Sequence, residues 1–384
     1  MQTGPRQPRP DERTQSALGF TRTPSEADLR GDPRLLAAIA RVAPGTELRS
    51  GIDDIIRSHE GALIVVGEPV ELSFLFSGGI QLDQPFTPQL LYELAKMDGA
   101  IIVNTKLTRL AYANVQLMPD PTIASAETGT RHRTAERVAK QTGALVISIS
   151  QQRETVTVFI GQGRYQLDRV ADVLAKTNQA LATLKTYRQR LEQVLTRLTA
   201  LEFQNAVVLD DVLVVLQRAE MTTRMAEEIE RNCVELGAEG RLIRLQLGEL
   251  VEQVPAEKDA VVRDYQAIAA DTGQAALEPL SALPYRELLA FEALAELLGH
   301  SRGVNPLDLS VAPRGYRVLS RIPRLPGSVI DRVVADLGGL EAIVRASHRE
   351  LEAVEGVGPA RAREIREGLR RLQEHNLVDR YLQL

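Results

Sequence analysis

Two hydrophobic periods divide this chain. Up to about residue 166, short apolar runs bounded by turn residues stand between amphipathic stretches; from Leu167 onward, apolar residues recur every third or fourth position. The runs Ala62–Val66, Ile101–Val103, Leu145–Ile149 and Val156–Ile160 have the length and turn-bounded setting of buried strands. Asp32-Pro33 predicts a helix start, because Asp accepts a backbone N–H as N-cap and Pro suits the first helical position. Leu35, Leu36, Ile39 and Val42 form its apolar side, and Gly45 is expected to end it. A second helix runs through Ile52, Ile55 and Ile56. Thr87-Pro88 opens another, with Leu90, Leu91, Leu94 and Ala95 on one face, and a further helix is expected from about Thr134 to Thr142, before Gly143. Residues 32–166 therefore predict an α/β domain with a mixed sheet.

From Leu167 through Val170, Leu174, Leu181, Leu184 and on to Leu201, the stripe meets neither Gly nor Pro, which predicts one long helix. Further helices continue to about Gly299, so residues 167–310 read as an all-α region, either a spine or an internal bundle. Residues 311–384 form a second all-α region with two Gly-containing turns, Leu325-Pro326-Gly327-Ser328 and Val357-Gly358-Pro359-Ala360. Each leads into a helix, Val329–Ala335 and Arg361–Leu369. A glycine there can expose backbone N–H groups to a phosphate, or can simply close the preceding helix. Residues 1–31, rich in Arg, Pro, Thr and Asp, have too few apolar side chains to offset the entropy of ordering and read as a flexible arm.

The single cysteine, Cys233, rules out a disulfide framework within one chain and fits a reducing cytoplasm. No apolar segment reaches membrane length before a charge interrupts it, so no membrane partner is expected. The net charge of −5 conceals a local excess of cations: Arg314 to Glu374 holds 12 Lys and Arg against 9 Asp and Glu. That local balance suits a polyanionic partner.

The run Gly129-Thr130-Arg131-His132-Arg133-Thr134-Ala135-Glu136-Arg137 gathers cations and hydroxyl donors where a polar loop becomes a helix, a setting that suits a polyphosphate. Upstream, Met97-Asp98-Gly99-Ala100 puts a carboxylate at the start of an apolar strand, beside a glycine. The pair suggests a carboxylate, a metal ion and a triphosphate. No G-x-x-x-x-G-K-[ST] loop or H-E-x-x-H motif is present, and Gly161-Gln162-Gly163 lacks the third glycine of a dinucleotide fingerprint.

Asp-Gly-Ala at 98–100 and Arg-His-Arg at 131–133 resemble the two hallmarks of the diadenylate cyclase family. With the helical region and the hairpins that follow, the order resembles the DNA-integrity-scanning branch of that family, which ends in a helix-hairpin-helix domain. The resemblance covers the chain apart from its first thirty or so residues. It implies condensation of two ATP molecules into cyclic di-AMP with release of two pyrophosphates. It also implies Asp98 as catalytic residue and ligand of Mg²⁺ or Mn²⁺. Nucleotide contacts are implied at Gly99, where the missing side chain would leave room for the nucleotide, and at Ala100, Thr130, Arg131, His132, Arg133 and Thr134. The family's later contacts fall on Leu117, Ser150 and Arg153; Leu117 and Ser150 also read as core and strand end, and Gln151 stands where the family would have an arginine.

For the C-terminal region the resemblance implies DNA binding, preferably to branched junctions, at Gly327, Gly356, Gly358, Arg361 and Arg363. The hairpin Glu355-Gly356-Val357-Gly358 matches the family pattern well; in the other, Pro326 replaces a glycine. One chain supplies one constellation while the product needs two nucleotides, so a homo-oligomer with facing sites is expected; the family implies an octamer, cytoplasmic and nucleoid-associated, acting as a DNA-integrity checkpoint. The competing reading is a non-catalytic repair scaffold that senses ATP and binds DNA.

Overall fold

The computed structural model describes residues 32–267, 274–300 and 305–382, with the backbone alone for 274–277 and 375–382. The arm expected over residues 1–31 lies outside the described residues. The chain divides into two compact units, ending and beginning at Asp168 and Arg169.

The first unit is α/β. Helices α1 (Pro33–Arg41) and α2 (Glu47–Arg57) precede β1 (Ala62–Val66), α3 (Pro69–Leu72), β2 (Phe76–Ser77), β3 (Ile80–Pro85), α4 (Pro88–Ala95), β4 (Ala100–Val103) and β5 (Arg109–Leu117). Then follow α5 (Thr130–Thr142), β6 (Leu145–Ser150), β7 (Thr155–Ile160) and β8 (Gly163–Gln166). The helix starts read from Asp32-Pro33 and Thr87-Pro88 are present, with both side chains accepting a backbone N–H. Helix α1 ends at Arg41 rather than at Gly45, which instead takes a positive φ in the turn to α2.

The sheet runs β2-β5-β4-β1-β6-β7-β8, with β3 also paired to β5. It is mixed because β1 and β4 are parallel while the other pairs are antiparallel. Four strands, β2, β3, β5 and β8, had no apolar run to announce them; in β5 buried and exposed residues are interleaved, the mark of a strand with one covered face. Ala135, Val138 and Ala139 of α5 pack with Val65, Ile102, Val115, Val146 and Phe159 in one core cluster.

The second unit is all-α. It begins with α6 (Val170–Gln204) and α7 (Leu209–Leu236), which pack along each other, and continues through α8 (Arg241–Val251), α9 (Val254–Tyr265), α10 (Gln274–Ala282), α11 (Tyr285–Leu288) and α12 (Phe291–Leu297). Leu181, Leu184, Leu191, Leu195 and Leu198 of the predicted stripe are buried, but Leu167 precedes α6. The buried line also includes Thr177, Thr199 and Glu202. Helices α13 (Tyr316–Ser320), α14 (Gly327–Leu337), α15 (Leu340–Arg345), α16 (His348–Ala353) and α17 (Pro359–Leu382) complete the chain around their own apolar cluster. Among the described residues no helix is long and apolar enough to cross a membrane.

Candidate functional site

The end of the sheet at which β1 and β4 begin and β5 and β6 end gathers the residues singled out in the sequence. Leu63 pairs with Ala100, Ala62 with Ile149, and Ala100 with Val115. Just beyond these pairs, at the same end of the sheet, lie Gly61 immediately before β1, Asp98 two residues before β4, Leu117 at the end of β5 and Ser150 at the end of β6. Residues far apart in sequence thus meet because four adjacent strands share one end.

Asp98 is exposed and has no hydrogen-bond or ion-pair partner among the described residues. Gly99 has φ +99°, and a Cβ on it would come within 2.8 to 3.0 Å of the backbone of Asn114 and Val115. The fold by itself requires this glycine: the close approach of β5 and a left-handed backbone both exclude a side chain. Ala100 is the buried first residue of β4. Leu117 is half-buried against the core cluster that α5 covers.

Helix α5 starts at Thr130, four residues earlier than the apolar pattern indicated, because its first turn is polar and the pattern becomes visible only at Ala135. Gly129 is the N-cap and no side chain caps the end. The N–H groups of the first turn therefore have no partner within the helix, and Thr130, Arg131 and His132 surround them.

Arg131 is half-buried; its Nη1 lies against Gly61 and donates to the Ile149 carbonyl at 3.4 Å, at the end of the sheet. The His132 ring stands edge-on to Phe159, centroids 6.5 Å apart at 77°. Burial pulls the His132 pKa below its ordinary value; Glu127 opposes the shift, and Arg164, Arg131 and Arg153 add to it. At neutral pH the ring is therefore uncharged and offers one N–H donor. Arg133 is turned back toward the preceding loop, donating to the carbonyls of Glu127 at 3.3 Å and Thr128 at 3.2 Å. Thr134 is half-buried.

The residues that fix this loop escaped the sequence reading. Glu136 accepts from Ser125 Oγ at 2.5 Å and from the Ala126 N–H at 3.1 Å, while Arg137 and Lys140 each donate at 2.9 Å, to the carbonyls of Ile123 and Ala124. The Lys140–Glu136 ion pair at 2.7 Å closes the set. Its one trace in the sequence is the spacing of Glu136 and Lys140, four apart on a helix. Gly61 escaped as well, for it reads simply as a turn residue before a strand.

Ser150 Oγ accepts from the Arg153 N–H at 3.4 Å, so it ties the turn that carries exposed Gln151 and Arg153. The His59–Glu154 contact at 2.8 Å holds the same turn from the α2–β1 side. No group of three or more His, Cys, Asp or Glu among the described residues could hold a metal ion. The lone carboxylate of Asp98 nevertheless suits Mg²⁺ or Mn²⁺, hard ions that take one or two carboxylates and fill the remaining positions with substrate phosphates and water.

In the second unit, Gly327 opens α14 and Gly358 immediately precedes α17; a Cβ on either would meet nothing within 4 Å. Gly356 is different: it has φ +83°, and the Arg332 guanidinium lies 3.0 Å from where its Cβ would be. Arg361 Nη1 donates to the Gly356 carbonyl at 2.7 Å, bracing the turn. Arg363 lines an open cleft with His348, Arg366, Glu367 and Arg370.

Three family models match in the same order. They are the DisA bacterial checkpoint controller nucleotide-binding model over residues 49–163, the DisA bacterial checkpoint controller linker region over 167–307, and the helix-hairpin-helix motif over 339–368. Among curated proteins, the DNA integrity scanning protein DisA of Parafrankia sp. is 47% identical over 354 residues, covering 92% of this chain and 99% of its own. The protein of that name from Carboxydothermus hydrogenoformans is 47% identical, covering 89% of this chain and 98% of its own. The one from Streptomyces coelicolor is 45% identical, covering 91% and 95%.

Proposed function

This chain belongs to the DisA family of DNA integrity scanning proteins, and we propose that it joins two ATP molecules into cyclic di-AMP and slows when its hairpins engage branched DNA. The observation that carries the catalytic reading is what gathers at one end of the sheet: an unpartnered carboxylate, Asp98, before β4, and at the end of β6 the Ile149 carbonyl to which Arg131, from the uncapped first turn of α5, donates.

In this reading the 3′-hydroxyl oxygen of each ATP bonds to the α-phosphorus of the other. The bond from that phosphorus to the bridging oxygen breaks, pyrophosphate leaves, and the proton of the attacking hydroxyl is released to solvent. Little covalent chemistry falls to the protein, so its contribution is placement and charge. Arg131 supplies permanent positive charge, the first-turn N–H groups of α5 and neutral His132 supply directed donors, and Thr130 adds a hydroxyl. Asp98 would hold the divalent ion, which when bound neutralises phosphate charge and lowers the pKa of the attacking hydroxyl. Ser150 and Arg153 contribute from the β6–β7 turn, and Leu117 offers an apolar surface to the base. Because one chain carries one constellation, catalysis requires two chains with sites face to face, as in an octamer of paired cyclase units.

The DNA reading rests on Gly327 and Gly358, where open space beside a helix start lets a phosphate approach backbone N–H groups, and on the cationic cleft containing Arg363. It places the protein in the cytoplasm on the nucleoid, as a checkpoint that couples DNA structure to nucleotide synthesis.

Incubation of the full chain with ATP and Mg²⁺ or Mn²⁺, with products identified by mass, is the direct test. Cyclic di-AMP with two pyrophosphates per molecule is expected. ATP left unchanged, or a linear dinucleotide as end product, would remove the cyclase assignment.

A further inference from the structure

We infer that Gly61 is a positioning residue for the Arg131 guanidinium, the absent side chain forming the seat in which that cation lies. This rests on the reading of Arg131 as a triphosphate ligand. Gly61 is buried immediately before β1, at the end of the sheet where Asp98 precedes β4 and Ser150 closes β6. A Cβ built on it would stand 2.1 Å from Arg131 Nη1, 3.0 Å from its Cζ and 3.2 Å from the Ile149 carbonyl oxygen that Nη1 touches.

The backbone at Gly61 is not left-handed, in contrast to Gly99, so its own conformation does not demand glycine. The neighbour does. The obstructing atoms are the tip of a flexible side chain, so an alanine can be accommodated if Arg131 gives way, while the Ile149 carbonyl yields by a few tenths of an ångström. Arg131 would then leave the sheet edge and lose the fixed orientation of its planar fork, although its charge remains nearby. A misplacement on the order of 1 Å in a polyphosphate site is costly, and the loss of one charge-assisted hydrogen bond corresponds to about tenfold or more in affinity.

The test is a double-mutant cycle in the full chain: Gly61→Ala, Arg131→Ala and both together, with ATP affinity read by calorimetry and folding by thermal unfolding. Gly61→Ala should weaken ATP binding about tenfold with little change in Tm, and in the Arg131→Ala background the same substitution should change affinity less than about twofold. Equal effects with and without Arg131 would overturn the inference. So would a Gly61→Ala protein that fails to fold and stays unfolded when Arg131→Ala is added, because the obstruction would then be the backbone at Ile149. If Arg131→Ala alone binds ATP as the parent does, it is the nucleotide role of Arg131 that fails, and the inference falls with it.

Discussion

Asp98 and Arg131 are opposites as residues. Asp98 is exposed and unpartnered, so its carboxylate contributes nothing that the fold needs, whereas Arg131 is held against backbone by a hydrogen bond and a missing Cβ. Asp98→Asn, nearly isosteric, should therefore leave Tm within about a degree, as for an exposed substitution worth less than ~0.5 kcal/mol. Its turnover should fall at least ~100-fold, since removing a single preorganised electrostatic contact commonly costs that much. Wild-type turnover in this variant would remove Asp98 from the mechanism. His132 shows how environment sets charge at this scale: burial leads the downward shift of its pKa, and the neighbouring Arg164, Arg131 and Arg153 add to it against Glu127.

At the scale of elements, most helix starts lack a side-chain cap, those of α5 and α14 among them, and the start of α17 follows the open Gly358. What sets α14 and α17 apart is the open space beside Gly327 and Gly358, where a built Cβ meets nothing within 4 Å. At Gly358 the backbone is not left-handed and nothing occupies the space beside it, so the protein itself would accept a larger residue. Gly358→Val should then keep the fold and weaken binding about tenfold on every DNA sequence alike, by keeping a phosphate from the helix start. The slope of log affinity against log salt should shrink by about one phosphate contact. Undiminished DNA binding, measured by fluorescence anisotropy over a salt series, would take this hairpin out of the interface.

On the scale of the whole molecule, the helix-hairpin-helix region is joined to the long helices by buried ionic chemistry within the second unit. Arg317, fully buried, pairs with Glu202 and donates to Thr199 Oγ at 2.8 Å, and the Tyr265 hydroxyl donates to Glu202 at 2.8 Å. Asp264 accepts the N–H groups of Gly315, Tyr316 and Arg317 at 2.7 to 3.0 Å. Cutting the chain near Ser310 would remove these partners of Glu202 and Asp264 together with the residues that cover them, so point variants of the hairpins disturb the second unit less when DNA binding is to be silenced.

Burial, reinforced by the charge of Glu202, raises the Asp264 pKa to about 7 despite the three N–H donors. A carboxyl raised in the folded state contributes stability that is full below its unfolded value near 4 and declines as pH rises through about 7. Compared with Asp264→Asn, which cannot titrate, the parent should lose unfolding free energy between pH 5 and pH 8; a difference independent of pH, measured in urea, would contradict the shift. Assembly gives a further test. Mixing Asp98→Asn chains with parent chains, with exchange verified, should depress cyclase activity below the parent fraction, because each product draws on two facing sites; strict proportionality would contradict the facing pair.

By itself the sequence determined the alternation of strands and helices up to residue 166, the long helix after it, the Pro-led helix starts and the two motifs at Asp98 and Arg131. All of these are local, resting on side-chain period, caps and short-range spacing. It could not show that β5 lies beside β4, because interleaved buried and exposed residues such as Ala113, Asn114 and Val115 state a face without stating a neighbour. Nor could it show where α5 begins, since a polar first turn carries no apolar period. Only the tertiary structure decided that Leu117, Asp98, Gly61 and Ser150 gather at one end of the sheet, that Gly99 answers to β5, and that Arg131 rests in the space left by Gly61. Pairing register and close approach are relations between distant segments, and they acquire a value only once the sheet has formed.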